Sequence, residues 1–165
     1  MSVRIAGGTL RGRRIRSGHR PGLRPTSERV RSAVFSILGT EFLDEARVLD
    51  LYAGTGAMGI EAISRGAIWA DFVESNVKLC WQLRKNLTEL SLDDRGRVYH
   101  ASVEKALKYL DGGYSLVFAD PPYDEVIWST VIKYLGSSPL LVDDGVVVVE
   151  HRSGLTGEDR YGRLV

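Results

Sequence analysis

The sequence predicts an α/β fold, a mostly parallel sheet with helices on both faces, preceded by a small basic extension. Three observations carry this expectation. Strand-like and helix-like segments alternate after residue 45, the strands are short continuous apolar runs, and the first strand enters a glycine-rich turn, Asp50-Leu51-Tyr52-Ala53-Gly54-Thr55-Gly56. Alternation of this kind means βαβ units with right-handed crossovers. Unbroken apolar strands suit a sheet covered on both faces.

Residues 1–42 are expected to form the extension and residues 43–165 the core. In the extension, RIAGGTLRGRRI (residues 4–15) alternates loosely and predicts a small hairpin with Gly7–Gly8 as its turn. Residues 27–38 predict a helix, with Thr26 or Ser27 as N-cap and Val30, Val34, Ile37 and Leu38 along its apolar side. The core strands are predicted at Arg47–Tyr52, Ala70–Glu74, Val98–Ala101, Ser115–Ala119 and Val146–Glu150. Helices are predicted at 57–65, 76–90, 103–110 and 125–136; in the second of these Cys80, Leu83, Leu87 and Leu90 form an apolar stripe flanked by Trp81. Tyr161–Val165 reads as the start of one more strand.

With 165 residues the chain suits one domain, and its 44% hydrophobic and 26% charged content is that of an ordinary soluble protein. The longest apolar run, Val146–Val149, is far short of the roughly 20 residues of a membrane span. The N-terminus lacks the apolar stretch of a secretory signal. Cys80 is the single cysteine, which excludes an internal disulfide and a cysteine-cluster metal site. His19, His100 and His151 have no ligand spacing, so no metal is expected; a reducing cytoplasm is the expected compartment. Charge is unevenly placed. Residues 1–31 hold nine arginines against one acid, Glu28, while the rest of the chain holds 13 basic and 20 acidic residues. An arginine-only arm on an acidic body points to a phosphate-bearing partner, because the guanidinium fork matches phosphate oxygens; a solvated tail is the alternative.

Gly54, Gly56 and Gly59 spell G-x-G-x-x-G, and Glu74 stands twenty positions after the first of them. Alone, that spacing suggests a dinucleotide-dependent oxidoreductase. Asp50 changes the expectation, giving D-x-x-x-G-x-G. An acid there can meet an ammonium, as in S-adenosylmethionine, whereas it would repel a pyrophosphate. The glycines then serve close backbone approach, Glu74 accepts ribose hydroxyls, and Tyr52 either contacts ligand or packs. After the strand SLVFA comes Asp120-Pro121-Pro122-Tyr123. Two prolines make a rigid loop without N–H donors, so an acid and a carbonyl become two acceptors aimed at one spot. They suit an exocyclic amine, whose lone pair is freed for an electrophilic methyl when both protons are held. Tyr123 is placed to stack on a base taken out of its own stack.

These blocks resemble the bacterial 16S ribosomal RNA (guanine-N2)-methyltransferase family, RsmD-like, within the class I S-adenosylmethionine-dependent methyltransferases of Rossmann-like fold. The resemblance covers nearly the whole chain. RIAGGTLRGRRI and GLRPTSERVRSAVFSIL match its opening blocks, VLDLYAGTGAMGIEAISRGA its cofactor loop, FVES its ribose acid and FADPPY its catalytic loop. It implies methyl transfer from S-adenosylmethionine, with S-adenosylhomocysteine as product, to a guanine of small-subunit rRNA on an assembled or assembling subunit, by a monomer without metal or membrane. By position, Asp120, Pro121, Pro122 and Tyr123 would be catalytic. Thr26, Asp50, Tyr52, Gly54, Thr55, Gly56, Glu74 and Ser75 would hold the cofactor. Ser102 and Val103 take the adenine position that many class I enzymes give to an acid. Arg11, Arg13, Arg14, Arg24 and Arg29 would contact RNA, and Arg29 with Thr26 would also tie the N-terminal helix to the cofactor or catalytic loop. The family fold ends in a β-hairpin, and this sequence stops inside its first strand, so the sheet is expected to lack its last strand. Two other readings are an adenine-N6 methyltransferase with the same chemistry and a non-catalytic RNA-binding assembly factor.

Overall fold

The computed structural model describes residues 2–17, 26–121, 125–150 and 164. The chain opens with an antiparallel pair, β1 (Ser2–Arg4) and β2 (Arg14–Arg16), in which Val3 faces Ile15. The connection does not turn at Gly7–Gly8 as predicted. It turns further on, where the Arg11 N–H donates to the Gly8 carbonyl (3.2 Å) and the Arg13 N–H to that of Leu10 (3.0 Å). The two glycines instead permit close packing. A Cβ on Gly8 would lie 1.8 Å from the Ser64 carbonyl oxygen, and Ser64 Oγ donates to the Gly7 carbonyl at 2.6 Å.

Helix α1 (Glu28–Leu38) is capped by Ser27, whose hydroxyl accepts the Val30 N–H at 3.2 Å. Its inward side meets the prediction in part, since Val34 and Leu38 pack against the core. Arg31 and Phe35 are buried, whereas Ile37 is 85% exposed and Val30 47%. A hydropathy pattern cannot place a charged side chain inward unless its partner is known. A short α2 (Thr40–Leu43) leads to the core.

Among the described residues the core sheet has five strands, all paired in parallel: β3 (Arg47–Leu51), β4 (Trp69–Glu74), β5 (Gly96–His100), β6 (Tyr114–Ala119) and β7 (Leu141–Val149), in the order β5-β4-β3-β6-β7. Intervening helices are α3 (Ala57–Ser64), α4 (Val77–Glu89), α5 (Val103–Ala106) and α6 (Glu125–Ser137). Predicted strand β7 starts earlier than expected, because Leu141 pairs with Tyr114 before a register irregularity ahead of Leu116. The predicted helix 103–110 shortens to one turn. One face of the sheet carries α3 and α4, with Ile60, Ile63, Leu83 and Leu87 buried; Ile5, Ile15 and Phe35 of the extension join the same cluster. The other face carries α5 and α6, with Val103, Ala106, Val131 and Leu135 buried. Cys80 is a core residue as predicted, its thiol donating to the Glu74 carbonyl. Leu164 forms a bridge residue against the second face, and the rest of the predicted strand Tyr161–Val165 lies outside the described residues.

Two buried polar staples fix the extension to the core. Arg31, 1% exposed, donates to Glu61 Oε2 at 3.0 Å and to the backbone carbonyls of Arg4 and Thr26. Arg65 completes the set, reaching the other Glu61 oxygen at 2.8 Å. On the far side Asn86, 1% exposed, brackets Arg16 of β2. Its Oδ1 accepts the Arg16 N–H (3.0 Å), while its Nδ2 donates to the Arg16 carbonyl (3.0 Å) and to that of Thr55 (3.3 Å) in the glycine loop. Buried amides and ion pairs of this kind hold only when every lone pair and proton is met.

Candidate active site

From β3 the chain runs to β4 and β5 on one side and returns to β6 and β7 on the other. Connections therefore part between β3 and β6, which leaves a crevice at their carboxyl ends. A cleft of about 310 Å³ lies there. Leu51 pairs with Ala119 in register, so Tyr52 and Asp120 leave the sheet side by side. Among the predicted site residues the cleft brings together Thr26, Asp50, Tyr52, Gly54, Thr55 and Asp120, joined by Met58, Phe118, Val148 and Glu150.

Asp50 forms the floor. It is 4% exposed, and one carboxylate oxygen accepts the Gly59 N–H in the first turn of α3 at 3.0 Å. Burial, reinforced by the nearby charges of Asp120 and Glu74, raises its pKa to about 8. Glu74 holds the loop from beneath, accepting the Gly54 N–H (2.9 Å) and the Asn76 N–H (2.7 Å). Asp120 stands at the exposed lip, with its pKa raised to about 6 by desolvation and by Glu150. Thr26 donates to Glu150 Oε2 at 3.2 Å, which ties the N-terminal segment to the lip opposite the glycine loop. No ion pair among the described residues neutralises Asp50, Glu74, Asp120 or Glu150.

The glycines do different work from that expected of all three. Gly54, with φ +55°, lines the cleft and donates to Glu74. Gly56 and Gly59 are required behind it: Gly56 adopts φ +77° at the start of α3, with Leu83 Cδ1 2.1 Å from where a Cβ would stand, and a Cβ on Gly59 would lie 2.4 Å from Phe72 Cε1. Tyr52 adopts φ +58°, a costly conformation for a side chain of this size, and its hydroxyl is buried without a partner among the described residues. Burial raises its pKa to about 12, with the Glu104 charge adding to the effect.

Ser75, Ser102 and Val103 stand outside the cleft lining, at the ends of β4 and β5. The Ser75 carbonyl accepts from His100 Nε2 (3.0 Å), Ser102 caps α5, and Val103 is buried in the core. Arg29 is exposed near the start of α1. Arg11, Arg13 and Arg14 are exposed along the hairpin, and Arg13 donates to the Glu89 carbonyl. Pro121 is buried behind Asp120. Pro122, Tyr123 and Arg24 lie outside the described residues.

A model of the family described as Conserved hypothetical protein 95 matches residues 3–164. The chain belongs to that family. Escherichia coli K12 ribosomal RNA small subunit methyltransferase D is 36% identical over 148 residues, 90% of this chain and 74% of the relative. Bacillus subtilis YlbH, provisionally named an rRNA methyltransferase, is 32% identical over 166 residues, 99% of this chain and 90% of the relative. The solved structure of Escherichia coli yhhF, provisionally described as a methyltransferase, superposes with a TM-score of 0.83 at 35% identity, covering 94% of this chain and 85% of that one. The fold of this Conserved hypothetical protein 95 member is thus the Rossmann-like class I methyltransferase fold, as the sequence predicts.

The donor set of this family member fits a cationic methyl donor. Three carboxyl groups, Asp50, Asp120 and Glu150, line the cleft without an ion-pair partner among the described residues, Glu74 stands behind the glycine loop, and Met58, Phe118 and Val148 give the cleft an apolar wall. Such a set attracts a sulfonium and an ammonium and repels a pyrophosphate, which removes the dinucleotide reading of the glycine motif. Two contributors escape the sequence reading. Glu150 carries a readable signal, since it is a strand-end acid directly after β7, like Asp50 and Glu74 beside their own strands. Arg31 offers no such signal, because it closes a stretch of 31 residues with nine arginines that reads as a basic arm rather than a buried ion pair.

Proposed function

We propose that this protein transfers a methyl group from S-adenosylmethionine to the exocyclic N2 amine of a guanine in small-subunit ribosomal RNA. The carrying observation is the unneutralised acid set at the switch point, with Asp120 at the lip directly after β6. The name of the Escherichia coli relative, ribosomal RNA small subunit methyltransferase D, supports rRNA as the substrate. Asp50, Gly54, Thr55 and Glu74 would hold the cofactor, which when bound supplies an electrophilic methyl on a sulfonium that departs as a neutral thioether. Asp120 accepts an N–H of the target amine and the Pro121 carbonyl lies next to it in the chain, so the nitrogen lone pair is released from the ring. With a pKa of about 6, Asp120 is ionised near neutral pH and takes up the proton that the methylated nitrogen sheds. The hairpin arginines, exposed on the same side as α4, supply phosphate contacts. Reaction of purified protein with labelled S-adenosylmethionine and small-subunit RNA lacking the modification is expected to yield N2-methylguanosine on nucleoside mass spectrometry. N6-methyladenosine in its place would transfer the reading to an adenine methyltransferase, and no label in RNA would remove it.

A further inference from the structure

Helix α4 carries a feature that the cleft does not use. Its inward side buries Leu79, Cys80, Leu83, Asn86 and Leu87. Its outward side leaves Trp81 61% exposed and Val77 60% exposed. An indole held this far out in water is unusual for so large an apolar side chain. Lys85, one turn along, sets its ammonium 5.2 Å from the centre of the Trp81 ring. Lys78 lies on the same side, and neither lysine has an ion-pair partner among the described residues.

Two of the hairpin arginines, Arg13 and Arg16, adjoin this face. Gln82, Asn86 and Glu89 mark the edge of α4 turned toward β2: Asn86 brackets Arg16, Arg16 pairs with Glu89 at 3.6 Å, and Arg13 reaches the Glu89 carbonyl at 3.1 Å. On a helix of 3.6 residues per turn, Lys78 and Lys85 fall between Trp81 and that edge. The result is a strip from Arg13 and Arg16, joined to the helix at Glu89, through the two lysines to an exposed indole, on a chain whose remainder is acidic. Cations for phosphates beside a flat aromatic ring for a base make a surface for unpaired nucleic acid.

We propose that the outward face of α4 extends the RNA-binding surface beyond the hairpin, with Trp81 as a stacking platform for an unpaired base outside the cleft. This rests on the RNA reading of the protein's function. The test uses the full chain and measures affinity for small-subunit RNA, affinity for S-adenosylmethionine and melting temperature, in wild type, Trp81→Ala, Trp81→Phe and Lys85→Gln. Trp81→Ala is expected to weaken RNA binding about 5- to 100-fold, with cofactor affinity and melting temperature unchanged. Trp81→Phe, which keeps a ring, is expected to recover most of that loss, and Lys85→Gln to flatten the salt dependence by about one phosphate contact. RNA affinity of Trp81→Ala within a factor of about two of a wild type that binds and methylates RNA overturns the proposal alone. A loss seen only with assembled subunits and not with naked RNA also overturns it, marking a protein contact instead. A wild type that binds no RNA removes the functional reading and this proposal together.

Discussion

Asp120→Ala is expected to lower methyl transfer by about 10²- to 10⁴-fold, the usual worth of a positioned acid–base group, while leaving cofactor affinity nearly unchanged. The separation follows from position. Asp120 stands at the lip after β6, whereas the loop that would hold the cofactor is fixed from the other side by Glu74 and Asn86. A pH profile gives the same prediction a second reading. Because desolvation and Glu150 raise the Asp120 pKa to about 6, the ionised form that accepts an amine proton is lost as pH falls through that value. Wild-type transfer should therefore rise with pH through about 6, and the residual activity of the variant should lack that limb. Transfer by Asp120→Ala at the wild-type rate, with a wild-type profile, would set the proposed chemistry aside.

Arg31→Met is expected to destabilise the fold by about 3 kcal/mol or more, since removal of one partner from a buried ion pair leaves the other charge uncompensated. Three acceptors lose a donor at once: Glu61 Oε2 and the carbonyls of Arg4 and Thr26. Arg65 still reaches Glu61 Oε1, which keeps the loss toward the lower end of the range for buried pairs. Replacing both partners, Arg31→Met with Glu61→Leu, removes the uncompensated Glu61 charge but takes the carboxylate from Arg65, so it should restore only a small part of that stability. The function should suffer in both variants, as Thr26 is held at the cleft by the same guanidinium. Equilibrium denaturation of the three proteins checks the order; a single variant as stable as wild type would show that the pair does not anchor the extension.

Much of this architecture could be read before any coordinates, and the reason is physical. Short apolar strands spaced by helical stripes leave little choice but a doubly covered parallel sheet, and acids placed at strand ends must gather at the switch point. Asp50 and Asp120 were legible for that reason, and Glu150 would have been by the same rule. The N-terminal extension was legible only in outline. Of its expected apolar face Val34 and Leu38 do pack, yet that face is centred on Arg31 and Phe35 and leaves Ile37 exposed. An arginine counts as surface in any hydropathy pattern, and only the position of Glu61 in α3, thirty residues on, makes burial affordable. Likewise the motif glycines announced a close approach without saying to what. For Gly56 and Gly59 the near neighbours are Leu83 and Phe72 of the protein itself. Asn86 was invisible because nothing local distinguishes a buried amide that joins two segments from a solvated one.

The central claim is that the acidic cleft takes a cationic methyl donor over Asp50, and calorimetric titration with S-adenosylmethionine in buffers of different ionisation enthalpy tests it most directly. Ligand-free Asp50, with its pKa raised to about 8, holds its proton at pH 7. An ammonium brought against it favours the carboxylate, so binding at pH 7 should release about one proton per chain, and the release should fade as pH rises above about 8. Asp50→Asn should bind weakly and release none. Tight binding of the donor with no proton released at pH 7, or equal affinity in Asp50→Asn, would contradict the account.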